Sequence, residues 1–171
     1  TVTLGENLTV NTGAGAGDIV ISGAIDGAKA LSLSAGTGAI TLSETVGQAT
    51  RLGAVTLNSS GVTTFTKAVK AASVTTNAGG TVLINGGSVD TTGVQTYGEA
   101  ITLGANTTLT GTTIHTQSTL AGGGNALTIT GAADVDGDIT GLSSLSVSLT
   151  ADLGANVTTS GAQTYAGAVT L

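Results

Sequence analysis

Short apolar–polar–apolar triplets recur along this chain at a nearly constant spacing, and this spacing is the feature that most restricts its fold. One column of triplets ends at Ile21, Leu42, Phe65, Ile84 and Leu103, with successive steps of 21, 23, 19 and 19. A second column holds Ile25, Val46, Val69, Val89 and Leu109, with steps of 21, 23, 20 and 20. Two columns that share one period predict a backbone that coils back on itself once per repeat and stacks matching residues.

Within each repeat, the side chains alternate in the way that a half-buried strand requires. The triplets include Ile40-Thr41-Leu42, Val55-Thr56-Leu57, Ile101-Thr102-Leu103 and Val169-Thr170-Leu171. We expect the aliphatic residues to point inward and the threonines outward. The turn Leu-Gly-x-Asn-x-Thr begins at Leu4, Leu103 and Leu153. We expect its asparagine to bond along the axis from one coil to the next, while glycine allows a sharp corner.

These patterns predict an all-β protein, a right-handed parallel β-helix (β-solenoid) with about 20 residues per rung. Residues 1–171 would form a single β-solenoid segment, and at about 4.8 Å per rung roughly eight rungs give a rod of about 40 Å. An antiparallel sandwich, which is also built from short strands, is the second choice because it does not require a fixed spacing.

Composition supports a narrow core. Pro, Cys, Met and Trp are absent and aromatic residues make up 2%, so the 40% of hydrophobic residues are mostly small or branched aliphatics. A mean hydropathy of +0.40 argues against a disordered linker. The lack of cysteine excludes disulfides and thiolate sites.

Charge excludes several classes of partner. The net charge is −6, and all four basic residues precede position 71, so the second part of the chain carries the whole excess of acid. Nucleic acid is therefore not an expected partner, because its binding depends on Lys and Arg contacts to phosphate. No apolar run approaches the ~18 residues of a membrane helix, so membrane insertion is not expected either.

The chain begins and ends within its own pattern. The phrase Thr92–Leu103 recurs as Ser160–Leu171, and joining Leu171 to Gly5 would continue the pattern. Solenoids usually end in polar caps, because a bare terminal rung exposes strand edges and apolar core. Uncapped ends predict a segment of a longer array or units that associate end to end.

Several phrases resemble the β-strand repeats of filamentous-haemagglutinin-like giant bacterial exoproteins, the large repetitive adhesins. They are Leu31–Leu42, Gly86–Tyr97 and Ala100–Leu109. The resemblance implies an exported β-helical shaft, located at the cell surface or outside the cell, that serves adhesion, surface coating or cell contact. It makes a structural component of an extracellular filament the expected function, with an adhesin module that binds glycans or another cell as the alternative.

The segment Asp134-Val-Asp136-Gly-Asp138 is the best candidate for a metal site, and Ca²⁺ is the ion that suits its carboxylates. The segment begins like an EF-hand loop. However, Ile139 stands where that loop has glycine, and Leu145 where it has its closing glutamate. A solvated acidic corner is the alternative, and no other cofactor is expected.

No catalytic group stands out. His115 is the single histidine and is interpreted as an unsupported surface residue, and no Gly-x-Ser-x-Gly motif is present. The acids are scattered outside 134–138, so we expect no enzymatic activity. Tyr97 and Tyr165 hold equivalent places in the repeated phrase; they either stack on a sugar or, in the favoured interpretation, pack at a corner with a wet hydroxyl. Outward threonines on a flat face, as in Thr64-Phe-Thr66, leave ice binding as a remote third function.

Overall fold

A computed structural model describes residues 1–171 and contains twenty-two β-strands and no helix, with every strand pair parallel. No helix that could cross a membrane is therefore present. The first eleven strands are β1 (Val2–Thr3), β2 (Leu8–Asn11), β3 (Ile19–Ile21), β4 (Ile25–Asp26), β5 (Leu31–Gly36), β6 (Ile40–Leu42), β7 (Leu52–Ser59), β8 (Val62–Phe65), β9 (Val69–Thr76), β10 (Thr81–Ile84) and β11 (Ser88–Thr91). The remaining strands are β12 (Gln95–Tyr97), β13 (Ala100–Leu103), β14 (Thr107–Thr116), β15 (Leu120–Ala121), β16 (Ala126–Val135), β17 (Ile139–Leu142), β18 (Ser144–Val147), β19 (Ala151–Leu153), β20 (Val157–Thr159), β21 (Gln163–Tyr165) and β22 (Val169–Thr170).

Each coil contributes strand segments to three faces. The first face contains β1, β4, β11, β18 and β21, the second contains β2, β5, β7, β12, β19 and β22, and the third contains β3, β6, β8, β10, β13, β15, β17 and β20. Strands β9, β14 and β16 run through the first face and into the second. This arrangement confirms the parallel β-helix and the length of coil that the sequence predicted.

The strand register confirms both columns that the sequence predicted. On the third face, Ile21, Leu42, Phe65, Ile84 and Leu103 are successive partners in one ladder. On the first face, a ladder of nine partners runs through Val2, Ile25, Val46, Val69, Val89, Leu109, Ile129, Val147 and Tyr165. The coil shortens along the rod, because the step between partners is longer from Val2 to Ile25 than from Val147 to Tyr165.

The stacked inner columns form one continuous core of 34 buried residues. Phe65 is fully buried, while the outward Thr41 and Thr102 are half-buried, which confirms the predicted alternation. Burial falls at both ends of the rod, where Val2 is 42% exposed and Leu171 is 96% exposed. Ladders of mostly aliphatic residues fill this core, with Phe65 and Tyr97 as its fully buried aromatic side chains, because the space between the three faces is only a few side chains wide.

Corner residues link neighbouring coils along the axis, as the Leu-Gly-x-Asn-x-Thr turn predicted. The Oδ1 atom of Asn7 accepts a hydrogen bond from the amide of Ala30 at 3.0 Å, and that of Asn106 accepts one from Ala126 at 2.9 Å. Glycine is required where corners stack closely. Gly131 has a φ of +151°, and a Cβ atom there would overlap the carbonyl oxygen of Gly111 in the coil below.

The repeated phrase that contains Tyr97 and Tyr165 does not return to the same face. Tyr97 lies on the second face, between Thr76 and Thr116, whereas Tyr165 lies on the first face above Val147. The second copy of the phrase therefore begins its strand three coils and two faces further along the rod than the first. The Leu-Gly-x-Asn-x-Thr turn likewise follows β1, β13 and β19, one strand from each of the three faces. The interchangeable unit of this sequence is one face with its corner, rather than one whole coil.

Candidate functional site

Three side chains on neighbouring coils of the second face converge at one place on the surface. His115 belongs to β14 and Asp134 to β16, and the two residues are direct partners in the parallel ladder. Asp136 follows the end of β16, and its backbone amide is bonded to the carbonyl oxygen of Thr116 at 2.9 Å. The regular step from one coil to the next is what places the histidine beside the aspartates.

The imidazole of His115 is within bonding distance of a carboxylate. Its Nε2 atom lies 2.8 Å from Oδ2 of Asp136 and 3.7 Å from Oδ2 of Asp134. The ring is partly buried, with 23% of the side chain exposed, against 40% for Asp134 and 54% for Asp136. His115 lies on a strand at the surface, as predicted, but it is not unsupported, because the Asp136 carboxylate is within hydrogen-bonding distance of its ring. The separation of His115 and Asp134 by one period of the repeat was the signal in the sequence that would have paired them.

The predicted calcium segment is divided by the fold. Asp134 and Asp136 join His115 in a group whose ligand atoms all lie within 4.8 Å of one another, and Asp138 is outside that group. Asp138 instead accepts hydrogen bonds from the backbone amide of Asn156 at 3.0 Å and from its Nδ2 atom at 3.2 Å. It therefore acts as a corner residue that ties one coil to the next. Calcium binding by all three aspartates remains a prediction.

A shallow groove of about 390 Å³ runs beside this cluster. Asp134 and Asp152 both line it, and these two residues are partners in the same ladder. The remaining lining residues are small or carry hydroxyl groups: Thr113, Ala132, Ala133, Thr150, Ala151 and Thr170. The groove gives water and small solutes access to the carboxylates.

Tyr97 does not have the solvent-exposed hydroxyl that the sequence predicted. The residue is fully buried, and its hydroxyl donates a hydrogen bond to Oε1 of Gln95 at 2.8 Å. The amide nitrogen of Gln95 in turn donates to the carbonyl oxygens of Val89 at 3.0 Å and Thr110 at 2.7 Å. Burial raises the pKa of the Tyr97 hydroxyl well above its ordinary value. A role in stacking on a sugar is excluded for Tyr97, because its ring lies inside the coil.

Tyr165 makes the same tyrosine–glutamine hydrogen bond in a more exposed environment. Its hydroxyl donates to Oε1 of Gln163 at 2.9 Å, but Gln163 is exposed and Tyr165 only partly buried. Burial also raises the pKa of the Tyr165 hydroxyl.

A buried carboxyl group on the inner side of a corner was missed by sequence reasoning. Glu99 is 1% exposed, and neither carboxylate oxygen has a hydrogen-bond partner. Its side chain extends over Gly80 of the coil below, where a Cβ atom would lie 3.2 Å from the Glu99 carboxyl carbon. Burial raises the pKa of the Glu99 carboxyl from 4.5 to about 7. The glycine one coil earlier provides the space, and this was the signal that the sequence offered.

Comparisons of the chain with models of protein families, with curated proteins and with solved structures gave no match. The fold itself, a parallel β-solenoid of stacked coils, is consistent with repetitive β-strand proteins and compatible with a structural or adhesin-like role.

Proposed function

We propose that this protein is a structural segment of an extracellular bacterial filament or surface fibre, in which the β-solenoid forms the shaft and associates end to end with a further solenoid of the same kind. The observation that carries the proposal is that one buried core and the parallel strand ladders run without a break through the stacked coils, as a shaft requires. The extracellular location rests on the resemblance to giant bacterial exoproteins.

At the first end, the open core forms an apolar depression of about 310 Å³. Nine apolar residues of the first coils line it: Val2, Leu4, Leu8, Val10, Ile19, Val20, Ile21, Ile25 and Leu31. At the other end, Val169 is 43% exposed and Leu171 is 96% exposed. In the 171-residue chain by itself, apolar surface of this kind favours coverage by another apolar surface.

The unpaired strand edges at the two ends of the rod are also complementary to each other. Strands β1, β2 and β3 pair on one side only, and so do β20, β21 and β22 at the opposite end. All strands run parallel, so one rod can add to another by translation along the axis and extend all three ladders. Such a contact joins unlike surfaces and does not close, and it therefore generates filaments rather than rings.

The lateral surface supports a mechanical role. The outward column of the second face carries hydroxyl groups over the first coils, in Thr9, Ser32, Thr56, Thr75 and Thr96. Over these coils the column carries no charged side chain, and in the later coils it continues with His115, Asp134 and Asp152. The alternative function, an adhesin module that recognises glycans, loses the Tyr97 ring as a contact and retains Tyr165.

Electron microscopy of the purified 171-residue chain tests the proposal. We expect filaments whose formation Val20→Lys abolishes, because Val20 lines the apolar depression and is 59% exposed, so the lysine places a charge at the stacking surface. Leu149→Lys is the matched control, since Leu149 is 55% exposed on the lateral surface. Neither substitution removes a buried side chain, so both monomers should keep the wild-type melting temperature. Discrete monomers at high wild-type concentration, or filaments unaffected by Val20→Lys, would contradict end-to-end association.

A further inference from the structure

We infer that His115, Asp134 and Asp136 form a binding site for a divalent transition-metal ion of the Zn²⁺ type. The inference is independent of the filament proposal. It rests on the chemistry of the donor set, its geometry, the strands that hold it and the charge around it.

The donors suit a borderline ion better than a hard one. The cluster offers one imidazole nitrogen and two carboxylate groups. Zn²⁺ combines nitrogen and oxygen ligands in sites of four, and imidazole also suits copper and nickel. Ca²⁺ takes six to eight oxygen ligands. Because Asp138 is engaged with Asn156, two carboxylates remain for a hard ion at this place.

The two distances from the His115 nitrogen to the carboxylates bracket the spacing of ligand atoms around a tetrahedral ion. Bonds of about 2.0–2.1 Å place ligand atoms about 3.4 Å apart along the edges of a tetrahedron. The two distances from the His115 nitrogen, 2.8 Å to Asp136 and 3.7 Å to Asp134, lie on either side of that value. Asp136 is the most exposed of the three, so its side chain is free to move from its contact with His115 when an ion binds.

The backbone holds the donors in place before an ion arrives. His115 and Asp134 are fixed as partners in adjacent parallel strands, and the Asp136 amide is hydrogen-bonded to the neighbouring coil. Sites built on strands lose little conformational entropy when they bind, because the strands already fix the backbone. The adjoining groove provides a route for the hydrated ion. Water molecules that the ion retains occupy the coordination positions that the three side chains leave open.

The surrounding charge favours a cation. Asp152 extends the ladder beyond Asp134, and no Lys or Arg occurs anywhere after Lys70. No basic side chain from the later coils competes for these carboxylates. A divalent ion therefore enters a region of uncompensated negative charge.

Calorimetric titration of ZnCl₂ into metal-free, untagged protein tests the inference. We expect one ion per chain. His115→Ala should abolish binding, Asp136→Asn should weaken it at least tenfold, and Asp138→Asn is the control that should leave it unchanged. The single histidine provides a second readout, because its ring resonances must shift in step with Zn²⁺ and reach an endpoint at one equivalent.

Circular dichroism of each variant verifies that it is folded, so that a lost signal reports the site itself. Absence of Zn²⁺ binding at millimolar concentration would overturn the inference. So would binding that survives His115→Ala, or Ca²⁺ binding that displaces Zn²⁺ from the site.

Discussion

Replacing the buried Glu99 by glutamine should make the protein more stable at neutral and alkaline pH. The carboxyl group is enclosed at a corner without a hydrogen-bond partner, and burial raises its pKa to about 7 from 4.5. The folded state therefore holds the proton more tightly than the unfolded state. The stabilisation that comes from this tighter proton binding is fully present below pH 4.5, and it is lost as the pH rises through about 7.

The size of the effect follows from the change in pKa. Each pKa unit corresponds to about 1.4 kcal/mol, so the rise from 4.5 to about 7 corresponds to about 3 kcal/mol. At pH 8 the wild-type protein bears this whole penalty, and Glu99→Gln bears none because its amide does not ionise. At pH 4 the wild-type carboxyl is protonated and nearly isosteric with the amide, so the two proteins should be equally stable.

Urea denaturation followed by circular dichroism at pH 4 and pH 8 measures the difference. Glu6→Gln is the matched control, because it makes the same substitution at a side chain that is 93% exposed. A pH profile of Glu99→Gln that runs parallel to that of the wild type between pH 4.5 and 7 would refute the reasoning. A variant less stable than wild type at pH 8 would refute it equally.

Two pairs of substitutions test the inner columns and the corners by thermal or urea unfolding. Tyr97→Phe should cost about 1–3 kcal/mol, because it leaves Oε1 of Gln95 buried without a donor. Tyr165→Phe, in the second copy of the phrase, should cost less than about 0.5 kcal/mol, since its partner is exposed. Equal losses would contradict the burial of the Tyr97–Gln95 hydrogen bond. Gly131→Ala should cost about 1–3 kcal/mol, because the added methyl group meets the Gly111 carbonyl at a positive φ, and Gly15→Ala, with open space around it, is the control. A neutral Gly131→Ala would show that the corners do not stack closely.

The apolar ladders could be predicted from the sequence because inner positions tolerate only a narrow range of side chains. Where a coil gains or loses residues at a corner, the next aliphatic triplet still marks the new register. Leu42 pairs with Ile21 in the coil before it and with Phe65 in the coil after it, although the second step is longer than the first. The period therefore specified both the coil and the stacking order, although its length varies.

The polar features were harder to predict, because each depends on the residue one coil away. The contact between His115 and Asp134 can be predicted only by applying the period of the repeat to outward positions, which have no hydrophobic pattern. Glu99 is buried because Gly80 lies below it, and a charged residue is otherwise expected outside. Tyr97 and Tyr165 share a phrase but not a face, since the distance between them along the chain is not a whole number of coils.

The most direct test of the coil is a series of distances between spin labels on outward positions of the third face. The chain has no cysteine, so Thr41, Thr102 and Thr140 can be replaced by cysteine in pairs without background labelling. Thr41 and Thr140 are five coils apart in one ladder, and at about 4.8 Å per coil their separation should be about 24 Å, with the Thr41–Thr102 pair near about 14 Å. Separations that rise in step with the number of coils are the result expected of a parallel solenoid. A Thr41–Thr140 distance no longer than that of Thr41–Thr102 would contradict it.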